Sequence, residues 1–140
     1  MSGETDLRKL LAKMQPELLR GEFVFCSVSQ ARLAQLDLFP LGLFREKEGI
    51  TLIVERSIAD DEDLDYTFVA RMITLTIHSS LEAVGFLAAI TSKFARAGIS
   101  VNTISAMYHD HLFVSTDKAE DAMTLLMELS HDSVGGSSDT

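Results

Sequence analysis

Residues 68–98 read FVARMITLTIHSSLEAVGFLAAITSKFARAG, and two hydrophobic periods meet inside this stretch. From Phe68 to His78 the period is two: Ile73, Leu75 and Ile77 alternate with Thr74 and Thr76, which is the pattern of a half-buried strand. From Glu82 to Ala97 the period changes. Ala83, Leu87, Ile90, Phe94 and Ala97 recur at helical spacing and form one apolar stripe. Ser79 with Glu82 three residues on is a capping-box pattern. Lys93 and Arg96 suit the negative end of a helix dipole, and Gly98 is a natural residue after the last turn. A strand feeding a long helix is the nucleus of an α+β fold.

The chain reads outward from this pair in both directions. Downstream, Ile99–Tyr108 and His111–Ser115 read as strands joined at His109-Asp110. Asp117–Leu129 reads as a helix with Ala119, Ala122, Met123, Leu126 and Met127 facing inward, and Met107, Met123 and Met127 are expected as core filler. Residues 132–140 are rich in Gly, Ser and Asp and read as a disordered tail. Upstream, Leu7, Leu10, Leu11 and Met14 make an apolar stripe on a helix that Pro16 stops. Glu22–Ser29 is a strand with apolar residues on both faces, followed by a short helical stretch, Gln30–Leu36. Leu41–Glu46 and Ile50–Glu55 form a hairpin in which Gly49 is expected to supply a positive φ. Ser57–Leu64 is acidic, and Ser57 with Asp60 is positioned to cap a helical turn. The order strand, helix, hairpin, helix thus occurs twice. Two βαββα units suggest a duplicated, ferredoxin-like α+β fold with an antiparallel sheet and helices on one face. The expected boundaries are 1–66 for a first, degenerate unit with its leading helix, 67–131 for the second unit and 132–140 for the tail.

Bulk properties narrow the function. The chain has 140 residues, 46% of them apolar, so a core is within reach without metals or disulfides. Cys26 is the single cysteine and lies in the apolar run Phe23-Val24-Phe25-Cys26, where it reads as a buried small hydrophobe. The formal charge of −9 argues against nucleic acid and anionic membrane as partners. The start of the chain is polar and carries no secretory pattern, and no apolar run approaches membrane-spanning length. A cytoplasmic location is expected.

Catalytic motifs do not emerge. There is no Gly-x-Ser-x-Gly elbow, no phosphate-binding glycine loop and no nucleophile–base pair, so no catalytic residue is assigned and no enzyme activity is expected. The acidic run Asp60-Asp61-Glu62-Asp63 lacks calcium-loop spacing and reads as a solvated segment. His109 and His111 share one face of an extended strand and form a secondary candidate site. The pair suits a hairpin tip or a contact with a ligand or subunit better than a closed zinc site, and no metal or cofactor is expected.

The second unit carries a family likeness. Ile77-His78-Ser79-Ser80, then Gly85-Phe86-Leu87, then Ala97-Gly98-Ile99-Ser100-Val101-Asn102-Thr103-Ile104 resembles an ACT domain. With Tyr108-His109-Asp110-His111-Leu112-Phe113-Val114 the whole chain resembles a small family of uncharacterised bacterial proteins with two tandem ACT-like units. The resemblance implies an ACT-type α+β sandwich that binds an amino acid or similar metabolite, regulates rather than catalyses, and forms a dimer or tetramer whose interfaces hold the ligand. In the serine-sensing phosphoglycerate dehydrogenases of that family, a His ending the first strand and nearby Asn residues hold the ligand, and His78 matches that His by position. The family's Pro-Gly at the helix start is replaced here by Ala83-Val84-Gly85. The Asn of its Gly-Ile-Asn-Ile motif falls on Ser100, and Asn102 follows two residues later on the same strand face.

The expected ligand site is therefore His78, Ser79, Ser80, Glu82, Gly85, Ser100 and Asn102. A helix start offers unpaired N–H groups to a carboxylate, with Ser79, Ser80 and the backbone at Gly85 around it. Glu82 or the Asn102 amide would take the ammonium. A structural or protein-interaction module that has lost its ligand is the alternative. A metal- or His-dependent enzyme built on His109 and His111 ranks below both.

Overall fold

The structure, a computed structural model, describes residues 3–76 and 85–135. The chain runs α1 (Gly3–Lys13), β1 (Pro16–Leu18), β2 (Phe23–Val28), α2 (Gln30–Gln35), β3 (Gly42–Arg45), β4 (Ile50–Glu55) and α3 (Arg56–Asp61). It continues through β5 (Val69–Leu75), α4 (Phe86–Arg96), β6 (Asn102–Ser105), β7 (Asp110–Ser115) and α5 (Ala119–Gly135). Two compact units result, Arg20–Arg71 and a discontinuous one made of Met1–Leu19 with Met72–Thr140.

In the unit Arg20–Arg71, β2 lies at the centre. It pairs antiparallel with β4 over its full length, from Phe23↔Glu55 to Val28↔Ile50, and with the first residues of β5 at Phe23↔Ala70 and Val24↔Val69. The short strand β3 pairs with the outer side of β4 and forms the open edge. Alternation places Val24, Cys26 and Val28 with Ile50, Leu52 and Val54 on one face. Ala59 and Ile58 of α3 and Leu33 of α2 pack there. The short helices are tied by polar contacts. Ser29 accepts the Arg32 amide at 3.0 Å as an N-cap, and the Arg32 guanidinium donates to the Glu62 carbonyl at 2.7 Å, satisfying a group at the end of α3. Cys26 is buried as expected, and burial pushes its thiol pKa up.

In the other unit the sheet order is β1–β5–β7–β6. Leu18↔Ile73 and Pro16↔Leu75 pair β1 with the second half of β5. The helices α1, α4 and α5 cover one face. Ile73 and Leu75 of β5 and Leu112 and Val114 of β7 meet Phe86, Ile90 and Phe94 of α4, Ala122 and Leu126 of α5, Leu11 of α1 and Met14 just after it. Phe94 is fully buried, and truncating such a ring to Ala costs about 3–5 kcal/mol.

Each unit is thus an antiparallel sheet with helices on one face, as the duplicated α+β reading anticipates. Several details differ. The leading helix does not belong with residues 20–66. Its apolar stripe is buried against the second half of the chain, Ser130 Oγ donates to the Ala12 carbonyl at 3.1 Å, and Thr76 Oγ1 donates to the Gln15 carbonyl at 3.0 Å. Packing therefore groups Met1–Leu19 with Met72–Thr140, whereas the sequence reading divides the chain after residue 66. Nor does ordered chain stop at residue 131, because α5 continues to Gly135. The helix expected from Glu82 is described from Phe86, after Gly85 with φ +95°, and residues 82–84 lie outside the described residues. Gly49 has no positive φ. A Cβ there would stand 2.9 Å from Ser27 Oγ and 3.4 Å from the Val28 carbonyl, so close approach to β2 is what the glycine serves. Ser57 does not cap α3, whose N-cap is Glu55 with no side-chain bond. Met107 and Met127 are exposed rather than core filler, while Met123 packs partly buried.

Leu11→Ala is expected to destabilise the protein by about 2–5 kcal/mol. Amide exchange should then quicken in β5, β7 and α5 and stay slow at residues 23–28 and 50–55. Loss of protection confined to the first 66 residues would restore the sequential division.

Candidate functional site

The sequence reading places the candidate ligand site between the end of β5 and the start of α4. Strand β5 delivers the chain to this end of the sheet, and α4 leaves from it with Gly85 in the left-handed conformation. Among the described residues a Cβ on Gly85 would meet Leu7 Cδ2 at 3.8 Å, an ordinary contact, and the φ of +95° is what favours glycine there. Of the expected ligand residues, His78, Ser79, Ser80 and Glu82 lie outside the described residues.

The remaining two expected residues are at the other end of the helix. α4 is terminated by Gly98, with φ +75°, and Ser100 follows it in extended chain. Asn102 opens β6 opposite Phe113. Both side chains are exposed. Eleven residues of helix separate Gly85 from this end, a length of about 16 Å. One unit therefore does not bring Gly85, Ser100 and Asn102 together around a small molecule.

His109 and His111 are at the same end as the β5 terminus. The turn between β6 and β7 closes through the Ala106 amide, which donates to the His109 carbonyl at 3.0 Å. Strand alternation turns Asp110, Leu112 and Val114 toward the helices and His111 to the opposite face. Asp110 is buried. His111 Nδ1 is 3.0 Å from Thr74 Oγ1 of β5, and the two imidazoles stand edge to face with centroids 6.3 Å apart. His109 Nδ1 is buried with no hydrogen-bond partner among the described residues. The Thr74 contact was not anticipated, although the placement of Thr74 and Thr76 on one face of the strand was its signal. Among the described residues no group of three or more His, Cys, Asp or Glu is arranged to hold a metal ion.

Burial is the main reason that the His111 pKa lies below its ordinary 6.5; the neighbouring His109 adds to the shift, and Asp110 opposes it. The other element beside His111 contributes the neutral Thr74 hydroxyl, with Glu17 opposite Thr74 on β1. A neutral imidazole in the fold and a readily protonated one in the unfolded chain mean that unfolding takes up a proton. This stabilising contribution is complete above about pH 6.5 and is lost as the pH falls through the folded-state pKa. Denaturant titrations at about pH 7.5 and about pH 5.5 should show the loss. His111→Gln should shrink the difference, and an unchanged difference would contradict the assignment.

Comparison with known proteins bears on this geometry. Two family models described as ACT domain match the chain in tandem, over residues 2–71 and 67–128. No curated protein sequence matches it. Among solved structures, a Vibrio cholerae protein of unknown function, described as a possible transport protein, is 44% identical. That match has a TM-score of 0.83 and covers 92% of this chain and 99% of that one. An Agrobacterium tumefaciens protein is 17% identical with a TM-score of 0.65, over 84% of this chain and 89% of that one. The ligand-free regulatory subunit of aspartate kinase from Thermus thermophilus is 8% identical with a TM-score of 0.64, over 84% and 96%. The last two are likenesses of fold alone.

Proposed function

This chain belongs to the ACT-domain family, and from that premise we propose that it is a non-catalytic regulatory protein that binds an amino acid and works as a homo-oligomer in the cytoplasm. The observation that carries the reading is the tandem ACT match laid over a strand–helix junction with Gly85 at the helix start. A carboxylate at that junction faces the unpaired N–H groups of α4's first turn. His78, Ser79, Ser80 and Glu82, from the segment between β5 and Gly85, supply the contacts that distinguish one amino acid from another.

The 16 Å estimated for α4 bears on how the remaining residues take part. Ser100 and Asn102 reach a ligand at the Gly85 end only from a second copy whose edge runs antiparallel to the first. In this reading ligand binding and subunit association are linked, and the ligand stabilises the oligomer that holds it. His109 and His111 border the same end of the sheet and set the polarity of its floor. No helix among the described residues is long and apolar enough to cross a membrane.

Thermal unfolding in the presence of each of the twenty amino acids at millimolar concentration tests the proposal. A ligand at 100 times its Kd adds about 2.7 kcal/mol, which raises Tm by roughly 4 °C or more in a chain of this size. A shift with one or two amino acids that disappears in His78→Ala is the expected result. No shift with any of them would leave the interaction-module reading in its place.

A further inference from the structure

Helix α5 carries more apolar side chains than its packing uses. Ala119, Ala122 and Leu126 are buried in the core beneath it. Beside them Met123, Met127 and Val134 follow at spacings of four and seven residues, which a helix sets in one stripe. Met127 is 55% exposed and Val134 56%, while Met123 is partly buried. An open depression of about 450 Å³ lies over the stripe, lined by α5 from Glu120 to Asp132. The Thr124 hydroxyl donates to the Glu120 carbonyl at 3.1 Å, inside the helix, and asks for no partner from outside.

The solvent side of the stripe is acidic. Glu120, Glu128 and Asp132 recur there at spacings of eight and four residues, and α5 contains no Lys or Arg. Its neighbours in the helical layer differ: α1 has Arg8, Lys9 and Lys13, and α4 has Lys93 and Arg96. Among the described residues Lys93 Nζ stands 3.5 Å from Glu128 Oε1, and no ion pair engages Glu120 or Asp132. The last turn of α5 also lacks a cation to balance the negative end of the helix dipole and holds Asp132 instead.

We propose that this stripe of α5 is a docking surface for another protein, and that its occupant is a basic amphipathic helix. The inference goes beyond the amino-acid and homo-oligomer readings and rests on neither. Length, side-chain type and charge select that occupant. From Glu120 to Val134 the helix rises about 21 Å, so a partner helix of about four turns lies along it, with anchors three, four and seven residues apart. Methionine side chains adapt their shape to such anchors. The carboxylates beside the stripe then meet Lys and Arg on the flank of the partner, whose cations also balance the end of α5. A second copy of α5 fits poorly, since a two-fold mate brings the same carboxylates together. Residues 136–140 read Gly-Ser-Ser-Asp-Thr and offer neither a large apolar side chain nor a cation.

Fluorescence anisotropy with the full chain tests this, using a labelled helical peptide of about 18 residues of Leu and Lys, with Leu on one face. A peptide of the same composition in scrambled order controls for charge. The amphipathic peptide is expected to bind roughly ten-fold more tightly than the scrambled one, and to shift the amides of residues 120–134. Met127→Glu separates docking from simple attraction. It puts a carboxylate into the stripe, so binding should weaken by roughly ten-fold, whereas plain attraction of a basic peptide to an acidic chain would strengthen. The replaced side chain is exposed, so the fold should persist, which circular dichroism checks. Glu120→Lys combined with Asp132→Lys should also weaken binding and reduce its dependence on salt. Equal affinity for the two peptides, tighter binding by Met127→Glu, or amide shifts confined to other residues would overturn the proposal. So would a wild-type dimer that Met127→Glu converts to monomer, since a second copy would then occupy the stripe.

Discussion

Strand β5 is the constraint on which the rest of the protein depends. Its first residues, Val69 and Ala70, pair with β2 and complete the sheet of one unit. Its last three, Ile73 to Leu75, pair with β1 and begin the sheet of the other. Alternation within β5 buries Ile73 and Leu75 under α1, α4 and α5 and turns Thr74 to the opposite face, where it meets His111. A one-residue slip would send Ile73 and Leu75 out and Thr74 in, so register here is strongly enforced. The same strand also delivers the chain to the start of α4.

Both units then follow from one requirement, that a βαββα segment has an unpaired edge on its first strand and needs a fourth strand to fill it. The unit Arg20–Arg71 takes that strand from the first half of β5. The other takes it from β1, at the start of the chain. This explains why α1 and β1 are built into a core made mostly of C-terminal residues. It also places the two ends of α4 at different tasks, with Gly85 at the end where β5 terminates and Ser100 and Asn102 at the far end. In the proposed function a ligand that unites them is held between copies, which would make recognition and assembly one equilibrium.

Much of this was legible in the sequence where periodicity is strong. Ile50–Glu55 coincides with β4, the alternation in Phe23–Val28 with β2, and Ile90 and Phe94 with the buried stripe of α4. What escaped has physical causes. Three residues beginning with proline show no alternation, so β1 was invisible; it becomes a strand only because β5, far along the chain, offers it an edge. Gly49 was assigned a turn conformation when its role is the close approach of Ser27, a tertiary contact that no local pattern encodes. Met107 was assigned to the core by residue type and Met127 by its place in the helical pattern as well, yet both are exposed. Gly85 stands at a helix start, but that Ser100 and Asn102 lie a helix length away follows only from the fold. Leu41–Glu46 was read as strand without the exposure of Leu41, Leu43 and Phe44, because which strand forms the sheet's edge is a matter of topology.

Amide shift mapping on isotope-labelled, oligomeric protein, titrated with each of the twenty amino acids, tests the central claim most directly. The account predicts that one of them shifts Gly85 and Phe86 together with Ser100 and Asn102, with the same midpoint for both sets. Shifts confined to one end of α4, or centred on residues of the Arg20–Arg71 unit, would contradict it.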